Sequence, residues 1–152
     1  MIKKILVYPE DKEILTSKSE EVIEINNEVN DLIQDLTDTL NNTETGCGIS
    51  AVQIGVLKRV CIIKPDNKTC FAMINPKITK KEGVCLFKEG CLSAPHKQKK
   101  VQRAKKISVE YIDENGERQR ITRGGLTAII IQHELDHFEG WCEVFDGEES
   151  ED

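Results

Sequence analysis

The segment Gln132-His133-Glu134-Leu135-Asp136-His137 places two histidines four residues apart, with a glutamate directly after the first. Residues i and i+4 lie one above the other on a helix, so both imidazoles can bind one metal ion. Glu134 would then lie beside them, within reach of a water molecule on that ion. The spacing therefore predicts a hydrolytic metal site carried by a helix.

The residues around this segment favour a helix that begins near Gly124 or Gly125 and ends at Gly140. With about 100° of rotation per residue, five side chains share one helical stripe: Leu126, Ile129, Ile130, His133 and His137. We predict that this stripe faces inward. An ordinary core would produce the same pattern, and the two interpretations are compatible if the core wall ends at a binding pocket.

Two imidazoles do not hold a catalytic metal, which needs a third protein ligand and an open position for water. Glu143, farther along the chain, would give a motif similar to that of metallo-endopeptidases. Cys91, in Glu89-Gly90-Cys91-Leu92-Ser93, would instead supply a thiolate. A non-enzymatic alternative is a closed structural zinc site, in which Cys85 or Cys142 joins Cys91 and both histidines.

Periodicity elsewhere predicts an α+β fold, a single domain in which short antiparallel strands pack around the central metal-binding helix. Apolar residues at helical spacing predict an amphipathic helix over 27–41, after the possible caps Asn26 and Asn27. Two neighbouring strands are expected at 58–64 and 70–74, each closed by a proline. A hairpin over 107–113 and 118–122 turns at Asn115-Gly116.

The chain has 152 residues, 38% hydrophobic and 32% charged, which fits one globular domain and excludes a disordered chain. No apolar run reaches the roughly 18 residues of a transmembrane helix, and no signal-type segment opens the chain. We therefore expect a cytoplasmic protein with no membrane partner. Its six cysteines then act mainly as thiols, and Cys61 and Cys70 are expected to be small apolar side chains.

The formal net charge of −6 is uneven along the chain. Acidic residues crowd the end, so we expect a domain over 1–146 and a disordered acidic tail over 147–152. Six basic residues between Lys97 and Lys106 could attract phosphate or RNA. The alternative is a solvated strand and loop, because no aromatic side chains interleave and the overall balance is acidic; no DNA partner is expected.

Three segments together resemble the signature motifs of the peptide deformylases, in order and spacing: Gly46–Gly55, Glu89–Ser93 and Gln132–His137. The last two match without exception. In the first, Ser50 stands where the family pattern has alanine. Further similarity at Tyr8-Pro9, at Ile74-Asn75-Pro76 and at Gly125-Leu126 extends the resemblance over about residues 2–146.

This resemblance implies removal of the formyl group from N-formylmethionine at the start of nascent polypeptides, with release of formate. It implies that Cys91, His133 and His137 bind one divalent metal ion, with ferrous iron as the native ion and zinc, nickel or cobalt as substitutes. Glu134 would act as general base and then as general acid. The side-chain amide of Gln53 and the backbone N–H of Leu92 would meet the charge that develops on the formyl oxygen.

The resemblance also implies a substrate site. The methionine side chain would lie among apolar residues, the extended peptide would pair with backbone as an added strand, and a supporting ion pair would hold the Cys91 loop. The apolar residues are Phe87, Leu126, Ile129 and Ile130, the pairing backbone is at Cys47 and Gly48, and the loop involves Glu89, Gly90 and Arg103.

Relatives with a carboxy-terminal helix use it to dock near the ribosomal exit, and this sequence resembles the shorter, phage-encoded type of member. The resemblance therefore implies a bacterial or phage-infected host cytoplasm and at most a weak ribosome association. An acidic tail would be repelled by RNA, and the basic cluster would have to substitute for the missing helix.

Overall fold

The computed structural model describes residues 1–149. The helices are α1 (Lys12–Leu15), α2 (Asn27–Asn41) and α3 (Gly125–Phe138). The strands are β1 (Gly48–Ser50), β2 (Val60–Ile63), β3 (Phe71–Glu82), β4 (Cys85–Cys91), β5 (Ala94–Arg103), β6 (Lys106–Ile112), β7 (Arg118–Gly124) and β8 (Glu148–Glu149). Short 3₁₀ segments occupy Ala51–Ile54 and Glu143–Asp146. None of the helices described here has the length and apolar character needed to cross a bilayer.

The predicted amphipathic helix at 27–41 is confirmed as α2. Its N-cap is Asn26, whose side-chain oxygen accepts a hydrogen bond from the backbone N–H of Val29 at 3.2 Å. The buried face of α2 packs against β1 and β2. This face closes one side of the core beneath the sheet.

Five strands form an antiparallel sheet in the order β1-β2-β3-β6-β7. The predicted pairing of the strands near 58–64 and 70–74 is confirmed, as is the hairpin that β6 and β7 form. The prediction that Pro76 ends its strand is wrong, because β3 continues to Glu82. The register shifts between Ile74 and Lys77, and Asn75 has a positive φ of 51°, so the proline lies where the ladder is interrupted.

A second antiparallel sheet, in the order β4-β5-β8, carries the basic cluster. Glu148 and Glu149 pair with Gln98 and Lys97, so the described part of the acidic tail is a strand, in contrast to the predicted disorder. The opposite charges of the two segments favour this pairing. Residues 150–152 of the predicted tail lie outside the described residues.

Helix α3 packs against β1, β2, β6 and β7 and is buried on nearly every side. The inward stripe is confirmed for Ile129, Ile130, His133 and His137, whereas Leu126 is 41% exposed. Burial also extends beyond the stripe, to Ala128, Ile131, Gln132, Glu134 and Phe138. The helix ends as predicted before Gly140, where φ is +79° and a Cβ atom would collide with the Thr16 backbone. The α+β arrangement of antiparallel strands around one central helix is therefore confirmed.

Candidate active site

Four possible metal-binding side chains converge where β4 meets α3. The ligand atoms of Cys91, His133, His137 and Cys142 all lie within 4.8 Å of one another. Cys91 Sγ is 3.5 Å from His137 Nε2. A sulfur and a nitrogen bound to one tetrahedral metal ion are separated by about 3.5 Å, given bond lengths of about 2.3 and 2.0 Å. The donor set and its spacing therefore fit a metal ion of the zinc or iron type.

Two of the alternatives for the ligand set are not supported by this geometry. Glu143 lies outside the group, because its carboxylate accepts hydrogen bonds from Lys99 Nζ and Trp141 Nε1, both at 3.1 Å. The endopeptidase alternative with Glu143 as third ligand is therefore wrong. Cys85 also lies outside the group, opposite Arg103 in the β4–β5 ladder, but Cys142 is within it.

The ring of His133 is held by a carboxylate. Its Nδ1 lies 2.8 Å from Glu89 Oε1, which leaves Nε2 to face the other ligand atoms. Carboxylates that bind the second nitrogen of a metal-ligating histidine fix the tautomer and the ring orientation. His137 differs, because its buried Nδ1 has no hydrogen-bond partner among residues 1–149.

Arg103 joins this chain of contacts through the predicted ion pair with Glu89, which is confirmed. Its Nε and Nη2 atoms donate to the two Glu89 carboxylate oxygens at 2.7 and 2.8 Å, and its Nη1 donates to Asp136 at 2.7 Å. Burial by itself would raise the pKa of Glu89, but the hydrogen bonds from Arg103 and His133 lower it overall. Glu89 is therefore an anion that orients the ring of His133.

Glu134 lies in a buried and tightly restricted position beside the ligand group. Ser50 Oγ lies 3.0 Å from its Oε1 and can donate to it, and a Cβ atom on Gly48 would lie only 2.7 Å from its Oε2. Burial raises the pKa of the Glu134 carboxyl, although the two histidines and the Ser50 hydroxyl oppose the shift. A carboxyl group whose pKa moves towards neutrality is suited to both accepting and donating a proton.

Gln53 is positioned by hydrogen bonds on both atoms of its amide. Its Oε1 accepts from the Ser50 backbone N–H at 2.9 Å, and its Nε2 donates to Ser93 Oγ at 3.0 Å. Ser93 and Leu92 form the link between β4 and β5. The same Nε2 lies 3.7 Å from Cys91 Sγ and can donate its second N–H to it, and Gln53, Cys91 and Leu92 all line the pocket.

One cavity of about 550 Å³ brings all the predicted site residues except His137 together. Its lining includes Cys47, Gly48, Gln53, Phe87, Glu89, Gly90, Cys91, Leu92, Leu126, Ile129, Ile130, His133 and Glu134. Phe87 and Leu126 are 38% and 41% exposed and lie at its mouth. Strand β1 is at an edge of its sheet, so its second side can pair with an extended peptide.

Sequence reasoning missed two side chains that position groups of this site: Ser50 holds Glu134, and Ser93 holds Gln53. The thiol of Cys142, which the sequence suggested only for the closed zinc-site alternative, joins the ligand group. The only signal for Ser50 in the sequence was that it replaces the alanine of the family pattern. Cys70, expected to be a buried apolar side chain, is exposed, because it lies just before β3 rather than within it.

Comparison with known families agrees with the resemblance carried by the motifs. Residues 2–146 match the family model described as polypeptide deformylase.

The chain belongs to the peptide deformylase family.

A curated relative, peptide deformylase 2 of Clostridium acetobutylicum, is 41% identical over 84% of this chain and 85% of its own length. The crystal structure of a peptide deformylase from Legionella pneumophila superposes with a TM-score of 0.87 at 36% identity, covering 93% of this chain and 83% of that one. A peptide deformylase from Synechococcus elongatus in complex with actinonin gives 0.85 at 32% identity, covering 91% and 74%. Deformylases are metal-dependent hydrolases that remove the formyl group from N-formylmethionine.

The ion pair between Arg103 and Glu89 generates a prediction for the stability of this deformylase. Arg103→Met leaves two carboxylates, one of them buried, without their cation, so we expect a loss of about 3–5 kcal/mol in the free energy of unfolding. The measurement is urea unfolding at pH 7 in the presence of a metal chelator. The control Arg120→Met removes an exposed arginine on β7 and should change stability by less than about 0.5 kcal/mol.

The same pair has a defined pH dependence. Because the pKa of Glu89 is lowered in the folded protein, its contribution is fully present above its ordinary pKa of 4.5. It is lost as the pH falls through the lower, folded-state value. The stability difference between the wild type and Arg103→Met should therefore shrink in acid, and a difference that grows below pH 4.5 would contradict this assignment.

The contact between Gly48 and Glu134 generates a prediction for activity. Gly48→Ala would push the Glu134 carboxylate or the Ile130 side chain out of place, since the added Cβ lies 2.7 and 2.9 Å from their atoms. Misplacement of a catalytic group by about 1 Å can cost roughly 10²-fold, so we expect kcat/KM for deformylation to fall by about that factor. Gly124→Ala, where a Cβ has room at 3.4 Å, should retain activity. Equal activity of the two variants would show that Glu134 does not need this clearance.

Proposed function

We propose that this chain removes the formyl group from N-formylmethionyl peptides with Cys91, His133 and His137 as metal ligands and Glu134 as the proton-transfer group. The observation that carries the assignment is that Cys91, His133, Glu134 and Gln53 line one pocket beside the edge strand β1, while His137 lies within 4.8 Å of the other ligand atoms. The reaction would take place in the cytoplasm of a bacterium or a phage-infected host, where nascent chains begin with formylmethionine.

The metal ion proposed for this site is ferrous iron, with zinc, nickel or cobalt as substitutes. Imidazole nitrogen suits all four ions, and a thiolate is acceptable to each of them, so the donor set supports one divalent ion per chain. When bound, such an ion polarises a carbonyl oxygen and lowers the pKa of water towards about 7. The remaining chemistry comes from residues of this chain.

Glu134 is the proposed carrier of the proton. Its carboxylate accepts a proton from the water that attacks the formyl carbon and then donates it to the nitrogen of the leaving amine. The contact with Ser50 fixes one carboxylate oxygen, while the other is on the side where Gly48 provides clearance. Burial raises the pKa of Glu134, so its carboxyl can hold the proton between these two events.

Gln53 and Leu92 are the proposed partners of the developing oxyanion. The Gln53 amide is anchored at both its oxygen and its nitrogen, which directs its second N–H towards Cys91 Sγ, 3.7 Å from Nε2, and so towards the metal ligands where the formyl oxygen would lie. The backbone N–H of Leu92 lies in the same turn as Ser93, the residue that anchors Gln53. Loss of one such donor typically reduces kcat by about 10²- to 10³-fold.

The peptide is proposed to bind as an additional strand along β1. The backbone around Cys47 and Gly48 would pair with it, and the methionine side chain would enter the apolar part of the cavity. Phe87, Leu126, Ile129 and Ile130 supply this apolar lining, with Glu89 and Gly90 beside the Cys91 loop. The formyl group would then lie against Glu134 and Gln53.

The test of the function is anaerobic hydrolysis of a formyl-Met-Ala peptide by the full chain, with ferrous iron, zinc, nickel or cobalt added in parallel. Formate release is measured, and acetyl-Met-Ala serves as the control substrate. Release from the formyl substrate alone is expected. Absence of release from folded protein that retains its metal would refute the proposal.

The role of Glu134 has its own test. Glu134→Gln keeps the size of the side chain but removes the base, so kcat should fall by about 10²- to 10⁴-fold while metal content is unchanged. Glu143→Gln is the matched control, because that carboxylate binds Lys99 and Trp141 outside the ligand group. Retained turnover in Glu134→Gln would eliminate its assignment as general base.

Ribosome association is proposed to be weak. Within the basic cluster, Arg103 binds Glu89, Lys99 binds Glu143 and Lys106 lies near Glu82. Lys100 and Lys105 are exposed and form no ion pair within the described residues, so the cluster offers few charges to RNA.

Co-sedimentation with purified ribosomes at two salt concentrations tests this proposal. We expect weak, salt-sensitive binding that decreases in the double variant Lys100→Ser, Lys105→Ser. The double variant Lys80→Ser, Lys81→Ser on β3 is the control and should bind like the wild type. Binding that is tight or independent of salt would contradict the proposal.

A further inference from the structure

Cys142 reaches the ligand group from a different segment than the other three residues. After α3 ends, the chain reverses at Gly140 and enters the 3₁₀ segment Glu143–Asp146, immediately preceded by Cys142. Its side chain is only 1% exposed and packs with Leu15 and Phe145 in a small apolar cluster. This placement fixes the backbone on both sides of the thiol and directs it into the interior.

The distances suit a fourth metal donor. In a tetrahedral centre, pairs of ligand atoms are separated by about 3.8 Å for two sulfurs, 3.5 Å for sulfur and nitrogen, and 3.3 Å for two nitrogens. All four atoms of the observed group lie within 4.8 Å of one another, so small rotations about the side-chain bonds would close it around one ion.

The surroundings of Cys142 differ from those of a cysteine that only fills space. Cys61 is equally buried, and its cluster consists mainly of apolar residues, among them Ile63, Met73 and Val109. Cys142 instead places its sulfur against a second thiol and two imidazoles, three groups that all bind soft or borderline metal ions. Its position within this group, and not its burial alone, indicates a role in binding metal.

We propose that Cys142 is a fourth protein ligand, so that the metal centre of this chain contains two sulfur and two nitrogen donors. The inference rests on the ligand part of the proposed function. Cys91 and His133 line the substrate cavity, whereas Cys142 does not, so its sulfur approaches from the buried side. Water would then have to enter from the pocket side as a fifth ligand, because zinc-type sites can expand from four to five ligands during catalysis.

A second thiolate changes the charge of the centre. One thiolate leaves a divalent ion with a net charge of +1, whereas two neutralise it. The ion should then be held more strongly and should polarise an oxygen less strongly. In this deformylase the metal ion would therefore dissociate less readily and would be a weaker Lewis acid.

X-ray absorption spectroscopy of the full chain provides the test. The reduced protein is loaded with one equivalent of zinc, and the numbers of sulfur and nitrogen donors are determined. We expect two sulfurs in the wild type and one in Cys142→Ser. Cys61→Ala, which removes an equally buried thiol outside the group, should retain two.

Zinc affinity, measured by competition with a chromogenic chelator, gives a second readout. Loss of a contact that only orients a ligand costs about 10- to 100-fold in metal affinity, so loss of a direct ligand should cost at least about 10-fold in Cys142→Ser. Cys61→Ala should bind zinc as the wild type does.

One sulfur in the wild-type spectrum would overturn the proposal, and this result does not depend on whether the variant folds. A bond between Cys91 and Cys142 in the reduced, zinc-loaded protein would overturn it as well. Formate release is measured separately on the same samples. Two sulfurs without deformylase activity would refute the proposed function and leave the fourth ligand established.

Discussion

The burial of α3 on nearly every side constrains the rest of the structure. A helix in this position normally carries apolar side chains, because each unpaired polar group costs roughly 1–3 kcal/mol. This helix nevertheless buries four polar side chains: Gln132, His133, Glu134 and His137. Partners for the first three come from separate segments, namely the backbone of Ala104, the carboxylate of Glu89 and the hydroxyl of Ser50. Both sheets are thus attached to one helix, and the active-site groups lie at their junction.

The features that could be predicted from the sequence are those set by local interactions. Apolar spacing and an N-cap were sufficient for α2, and an Asn-Gly turn between alternating residues was sufficient for the β6–β7 hairpin. The extension of β3 past Pro76 was missed because a bulge, which depends on the partner strand, places the proline outside the regular ladder. The β4–β5 hairpin was missed because β4 is mostly exposed, β5 is rich in lysine, and neither strand shows an alternation of apolar and polar residues.

The sequence predicted those residues of the candidate site that belong to the signature motifs. Helical spacing alone brought His133 and His137 together, but only the family resemblance selected Cys91 over Glu143 as a ligand. The side chains that position Glu134 and Gln53 could not be predicted in this way. The contacts of Ser50 with Glu134 and of Ser93 with Gln53 join residues that are far apart in sequence. A serine in the sequence does not indicate its partner. The partners become visible only where α3 packs against β1 and where the 3₁₀ segment Ala51–Ile54 meets the link between β4 and β5.

The two histidines of the site are held in unequal ways. His133 is hydrogen-bonded to Glu89, which is itself anchored by Arg103, so its ring has one permitted orientation. His137 has no such anchor within the described residues, and its ring is positioned by packing against His133 and Phe145, with ring centroids 5.0 and 6.2 Å away. The orientation of the His133 ring is therefore fixed, whereas the His137 ring can tilt. A change in the number of donors around an ion would be absorbed by a tilt of His137, while the geometry on the substrate side, set by His133, stays constant.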